Sequence, residues 1–506
     1  MRIFKPHFLL FLVGLVFACQ SPNSPVDTDI RRTIIGDEKS FYHIDFENYP
    51  ANRKSLPIGV FDSGTGGLTV LKAIVNFDEY GGESHALGAD GVQDFAGESF
   101  IYLGDQANMP YGNYSNAGKV DLLKEHIIKD AQFLLGNKYY TGPEDSVYQS
   151  DKDPVKAIVV ACNTATAYGK SDLDDFLQMA HSDVKVIGVI DAGVRGALEL
   201  FGQDENGIVG VLATAGTVAS KGYKSALDKY IKELGYTGHI EVFDQGGVGI
   251  AEAVDEDANY FVRGLKTPRE SYKGPDLSGD LKIDKTLLDI YNFDYDAGKM
   301  LCDAASADDC SIMQINDAEN YVRYHLVTLL EKIRKSESSN QLKTIILGCT
   351  HYPYLTEEIS KVLTELYNYQ NQEGQLIYRS YMVEHITLVD PAVNTARELF
   401  AHLQESALFS ETNRIENSEF YISVPNQTNQ HIQTDKQGNF TYDYKYGRQA
   451  GQNQEFVKVV PFSKKNISSD ILERFKQQIP NVYELMVKFN ETNPKAEYLS
   501  PFDKIQ

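Results

Sequence analysis

The chain has 506 residues, 42% of them hydrophobic, which is length for two or three domains and apolar matter enough for their cores, so a wholly disordered chain is excluded. Its 48 lysines and arginines stand against 71 aspartates and glutamates, a net charge of −23, which argues against binding nucleic acid or an anionic membrane through charge. An anionic small molecule would have to be held by local dipoles.

The N-terminal stretch MRIFKPHFLLFLVGLVFACQ places Arg2 and Lys5 before an apolar run from Phe8 to Phe17. That run is too short to span a bilayer and has signal-peptide length. Residues 1–18 are read as an export signal. Val16-Phe17-Ala18-Cys19 resembles a bacterial lipobox, which would make Cys19 the lipidated first residue of an exported, membrane-anchored lipoprotein of the bacterial envelope. A plain signal peptide with an incidental cysteine is the alternative. The polar residues that follow, with Pro22, Pro25 and Pro50 and no sustained apolar period, predict a tether over 19–56.

Three strand ends carry candidate chemistry. Ile58 to Phe61 reads as a strand, Asp62-Ser63-Gly64-Thr65-Gly66-Gly67 as a turn, and Leu68 onward as a helix. The glycine spacing fits neither the dinucleotide fingerprint nor the P-loop. Ala157 to Val160 is a second strand, followed by Ala161-Cys162-Asn163-Thr164 and a helix from Ala165. Thr344-Ile345-Ile346 leads into the third edge, Leu347-Gly348-Cys349-Thr350-His351-Tyr352-Pro353. A single such cysteine is most simply a small buried apolar filler. Two thiols at the carboxyl ends of parallel strands, where open α/β sheets put ligand-contacting groups, ask for one explanation, and they suggest two related α/β halves. Strand runs alternating with helical stretches predict parallel sheets flanked by helices.

Segments 78–99, 137–153, 255–312 and 368–375 read as surface loops or additions, tolerated because loop closure costs grow slowly with length. Cys302 and Cys310, eight apart in an acidic stretch, are candidate disulfide partners in an exported protein, with two free thiols equally open. Towards the end, EFYISVP and EFVKVVPF are strand candidates and SDILERFKQQI a helix.

The set Asp62-Ser63-Gly64, Pro110-Tyr111-Gly112, Ala161-Cys162-Asn163-Thr164 and Gly348-Cys349-Thr350-His351 resembles the glutamate racemases of the aspartate/glutamate racemase superfamily. Residues 102–115, 186–193, 210–220 and 388–396 match in the family's order. The resemblance implies two similar lobes with the active site in the cleft between them: 57–184 as the first part of lobe 1, 185–387 as lobe 2 with the insertion 255–312, and 388–506 as a return to lobe 1 with an extended C-terminal region. It implies Cys162 and Cys349 as the two acid–base groups, with Asp62 and His351 activating them in that order. Ser63, Tyr111, Gly112, Asn163, Thr164, Thr217 and Thr350 would hold the substrate. Neither a cofactor nor a metal is expected. The family's Cys-Pro element followed by a glutamate is absent from FDQGGVGIAEAVDED at 243–257, where Glu252 or Asp255 could supply the acid.

Inverting a carbon centre needs a proton removed from one face and another delivered to the opposite face, which two flanking thiols can do. A thiol with an ordinary value near ~8.5 needs a neighbour or helix dipole to raise its thiolate fraction. The expected activity is cofactor-independent interconversion of L- and D-glutamate. Racemisation of aspartate or another amino acid, and a lipid-anchored amino-acid-binding protein without turnover, are the alternatives. D-Glutamate for cell-wall peptidoglycan is made in the cytoplasm, so an exported copy is read as serving use or salvage of D-amino acids elsewhere. The expected partners are a small amino acid and, through the anchor, the membrane; a homodimer is left open.

Overall fold

The computed structural model describes residues 29–81, 86–254 and 256–506. The export signal, Cys19 and Asp255 lie outside the described residues. Ten strands form two open sheets: β1 (Ile58–Asp62), β2 (Phe100–Gly104), β3 (Ala157–Val160), β4 (Lys185–Gly188), β5 (Gly207–Ala213), β6 (Ile240–Gly246), β7 (Leu342–Gly348), β8 (Met382–Val389), β9 (Glu419–Pro425) and β10 (Val457–Pro461). The first sheet has the order β10-β9-β2-β1-β3-β4 and the second β8-β7-β5-β6. Every neighbouring pair in them is parallel except β9 with β10.

β1, β2 and β5 are buried along their whole length, as the near-continuous apolar runs of parallel strands require. In each sheet the chain starts centrally and builds to both sides, β1 being flanked by β2 and β3, and β5 by β6 and β7. The pairs β1/β3 and β5/β7 are therefore switch points, where a crevice opens at the strands' carboxyl ends. Asp62 ends β1 and Cys162 follows β3; Thr214 follows β5 and Cys349 follows β7.

The principal helices are α1 (Ile30–Gly36), α2 (Leu68–Val75), α3 (Val120–Leu135), α4 (Asn163–Met179), α5 (Val189–Leu198), α6 (Ala215–Ser220), α7 (Gly222–Glu233), α8 (Ala318–Lys335), α9 (Thr356–Asn368), α10 (Pro391–Glu405), α11 (Tyr442–Gly447), α12 (Ser469–Gln478) and α13 (Pro480–Thr492). Among the described residues no helix is long and apolar enough to cross a membrane. β4 completes the first sheet, whereas α5 packs through Ile190, Val194 and Leu198 on the core of the second. β8 completes the second sheet, and α10 returns Ala396, Leu399 and Phe400 to the first core. The crossings thus fall a few residues beyond the expected 184/185 and 387/388 boundaries.

The tether expected over 19–56 is corrected where it is described. Asp29 caps α1 by accepting from the Arg31 amide, and Ile30 and Ile34, one turn apart, are buried with Tyr42 and Ile44 in the first lobe's core. The Tyr49 hydroxyl donates to the Val155 carbonyl at 2.7 Å. Three of the segments read as surface loops are also corrected. Phe95 of 78–99 and Tyr139 and Tyr140 of 137–153 are buried in the first core, and Ile283, Tyr291 and Met300 of 255–312 are buried in the second. Cys302 and Cys310 form a disulfide with their Cα atoms 5.6 Å apart, while Cys162 and Cys349 are free.

Candidate active site

On the first lobe, the turn after β1 wraps around the Asp62 side chain. Its Oδ2 accepts from the amides of Gly64 at 3.2 Å and Gly67 at 3.0 Å. A Cβ at Gly67 would sit 2.6 Å from Asp62 Cβ and 2.9 Å from Ala161 Cβ, so close approach of the two strand ends demands glycine. Cys162 is the N-cap of α4, and its Sγ accepts from the Ala165 amide at 3.4 Å. The same thiol donates to Ser63 Oγ across 3.7 Å.

Burial pushes the Cys162 thiol up to about 12, and the Asp62 charge adds to the rise; the Ala165 amide at the helix end opposes it. Burial raises Asp62 above the usual carboxylate range as well, against the amides that it accepts from. A buried anion disfavours a second one beside it, so the Asp62 charge by itself does not raise the thiolate fraction of Cys162. Asp62 can act on Cys162 by accepting its proton.

On the second lobe, β7 ends at Gly348, where a Cβ would lie 2.8 Å from both Ala213 Cβ and the Tyr223 ring. Cys349 and Thr350 follow, and a short 3-10 turn starts after His351. His351 Nδ1 lies 3.7 Å from Cys349 Sγ and 3.5 Å from Thr350 Oγ1. The lobes meet where the Tyr223 hydroxyl of α7 donates to Asn163 Oδ1 at 2.9 Å. A Cβ at Gly66 would lie 3.6 Å from both Asp62 Oδ2 and Thr350 Oγ1, so this turn faces the other lobe's threonine.

A cleft of about 540 Å³ runs between the lobes, and Asp62, Ser63, Tyr111, Gly112, Cys162, Asn163, Thr164, Thr217, Cys349, Thr350 and His351 all line it. Thr217 is fixed through its amide, which donates to the Thr214 hydroxyl at 3.2 Å. Tyr111 lines the cleft as expected of a substrate-holding residue, but its phenol is captured. Its hydroxyl lies 2.6 Å from both Asp105 Oδ2 and Asp130 Oδ2, and burial beside Asp105 holds Asp130 well above the carboxylate range. The phenol hydroxyl is thus shared between two buried carboxyls, as donor to Asp105 or Asp130. Tyr111 therefore offers the cleft its backbone and ring.

The loop carrying Tyr111 and Gly112 is fixed from behind by the C-terminal region. Lys445 Nζ of α11 donates to the Met109 carbonyl at 2.5 Å, Arg448 Nη2 to Asn108 Oδ1 at 2.7 Å, and Ser423 Oγ of β9 to Asp105 Oδ1 at 2.6 Å. These partners lie more than 300 residues from the loop in sequence, and reading motifs along the chain missed them.

In the second lobe, Glu252 turns back to accept from the Gly249 amide at 2.9 Å, while its neighbour Ala251 lines the cleft. Asp255 lies outside the described residues. The 245–249 turn is held by buried His325, whose Nε2–H donates to the Val248 carbonyl at 2.9 Å and whose Nδ1 accepts from Gln245 Nε2 at 2.9 Å. Burial lowers His325 to about 4, so it is neutral here. Reading motifs along the sequence also missed the cleft wall formed by Ile471, Arg474, Phe475, Gln478 and Ile479; the helical spacing of SDILERFKQQI carries the signal that one face is committed to packing.

Fold and site define a two-lobed α/β protein with one free thiol from each sheet in a single cleft. No family model matches the chain. Its sequence is 26% identical over 310 residues to a glutamate racemase of Clostridium novyi, covering 61% of this chain and 76% of that protein. It is 26% identical over 368 residues to a glutamate racemase of Lactobacillus johnsonii, covering 72% and 88%. Among solved structures, the glutamate racemase isoform RacE1 from Bacillus anthracis is similar with 22% identity and a TM-score of 0.41, over 72% of this chain and 88% of that one. Over most of its length the chain is similar to glutamate racemases.

Proposed function

We propose that the protein is an amino-acid racemase that interconverts L- and D-glutamate by proton transfer at the α-carbon between Cys162 and Cys349. The observation that carries this reading is the placement of two free thiols, one from each sheet, in one cleft, each beside its own proton-exchanging group. In the forward half, a thiolate takes the α-proton: the C–H bond breaks, an S–H bond forms, and the electron pair stays on the substrate, delocalised toward its carboxylate. In the second half, the opposite thiol gives its proton to the other face, so a C–H bond forms as that S–H bond breaks. The enzyme is left with its thiol and thiolate exchanged, and Asp62 and His351 restore the starting state with solvent. The neutral hydroxyls and amides of Ser63, Asn163, Thr164, Thr217 and Thr350, with the Tyr111–Gly112 backbone, hold the amino acid. The N-terminal sequence adds its own proposal: Cys19 is lipidated and the enzyme works in the bacterial envelope on D-amino acids made elsewhere.

Chiral analysis of the purified protein incubated with a panel of L-amino acids tests the activity. Accumulation of D-glutamate ahead of other products supports the reading. Inversion of aspartate alone moves the substrate, and glutamate binding with no inversion of any member makes this a binding protein.

A further inference from the structure

α12 lies well beyond the stretch of motifs shared with the racemases, yet one of its faces is a wall of the cleft. Ile471, Arg474, Phe475 and Gln478 fall at i, i+3, i+4 and i+7, the spacing of a single helical face, and all four line the same space as the two thiols. The helix is not a loose flap. Ser468 caps it by accepting from the Ile471 amide, and Leu472, Phe475 and Ile479 anchor it in the first lobe's core. This holds Arg474, half-buried, at a fixed place on the wall.

Among the described residues that line the cleft, Arg474 is the only lysine or arginine. The setting makes that informative. The chain carries a net charge of −23, and the cleft already contains the carboxylate of Asp62, so the field opposes an anion. Amides at the start of α4 can hold one carboxylate of an amino acid whose α-carbon sits between the thiols. A second carboxylate needs another partner, and a guanidinium, planar and permanently charged, matches a carboxylate with two parallel hydrogen bonds.

We propose that Arg474 is a specificity-determining residue that receives the side-chain carboxylate of an acidic amino acid, so that the cleft takes glutamate in preference to glutamine. The inference rests on the racemase reading and assigns its substrate class to a residue of the C-terminal region.

The test uses the full chain and two readouts, chiral analysis of turnover and calorimetric titration with glutamate and glutamine. Arg474→Gln should raise KM for L-glutamate about 10- to 100-fold, as loss of a hydrogen bond between charged groups implies, with a smaller change in kcat. It should also abolish the preference for glutamate over glutamine, and Arg474→Lys should restore part of both. Racemisation of glutamate by the wild type with the preference intact in Arg474→Gln would overturn the assignment and leave the racemase reading standing. Selective glutamate binding without turnover in the wild type, lost in Arg474→Gln, would overturn the racemase reading and keep Arg474 as the selecting residue. A wild type that neither inverts nor binds glutamate would overturn both.

Discussion

The two thiols sit in different chemical settings although each follows a central strand of its own sheet. Cys162 caps a long helix, and burial first, with the charge of the neighbouring Asp62 carboxyl second, pushes its thiol up to about 12. Cys349 precedes a short 3-10 turn and has an imidazole nitrogen 3.7 Å away. A carboxylate beside a thiol repels the thiolate and can act only by taking the proton; an imidazole can take the proton and then stabilise the thiolate as imidazolium. On the proposed mechanism, Cys162 would exchange its proton with a buried carboxyl and Cys349 with an imidazole.

That asymmetry can be broken at several depths. Cys162→Ala or Cys349→Ala should each lower racemisation by at least ~10²–10⁴-fold, the range for loss of a positioned acid or base; near-normal D-glutamate formation by either variant removes that cysteine from the chemistry. Asp62→Asn should cost about 10³-fold in kcat/KM, equally in both directions because the equilibrium constant of racemisation is one, with kcat falling further in the direction where Cys162 takes the proton. The same variant should speed alkylation of Cys162 by iodoacetamide at pH 8, since removing the neighbouring anion lets the thiol ionise more readily. If racemisation and alkylation change in the same direction, Asp62 is not the proton acceptor assigned here.

A smaller effect concerns stability. His325 is held neutral at about 4, below the ordinary ~6.5 of an unfolded histidine, so the unfolded chain binds more protons between those values and stability falls as pH drops through that window. The change amounts to about 3 kcal/mol at most. His325→Gln should flatten that part of the stability profile measured by urea unfolding. An unchanged slope would mean that other groups dominate it.

The site was legible where chemistry is written into a strand end. The runs before Asp62, Cys162 and Cys349 gave themselves away through apolar stretches breaking at glycine or a small residue, and the structure brings these ends to one cleft. What escaped is what depends on contacts far apart in sequence. Tyr111 lines the cleft as expected of a substrate-holding residue, but Asp105 and Asp130 capture its phenol, and no local pattern reports such a pairing. The polar composition of the supposed tether hid Ile30 and Ile34, whose single-turn spacing is too short a period to register. Irregular backbone in 255–312 hid the burial of Tyr291 and Met300 for the same reason. SDILERFKQQI was legible as a helix, but which element its apolar face would meet was not.

Solvent-deuterium labelling tests the two-thiol account most directly. With L-glutamate in deuterated water, newly formed D-glutamate should carry deuterium at the α-position while the remaining L-glutamate stays protiated early in the reaction, because the thiol that removed a proton does not return a solvent deuteron to the same face. Equal early labelling of both enantiomers would contradict the account and point to a single base acting on a substrate that turns within the cleft.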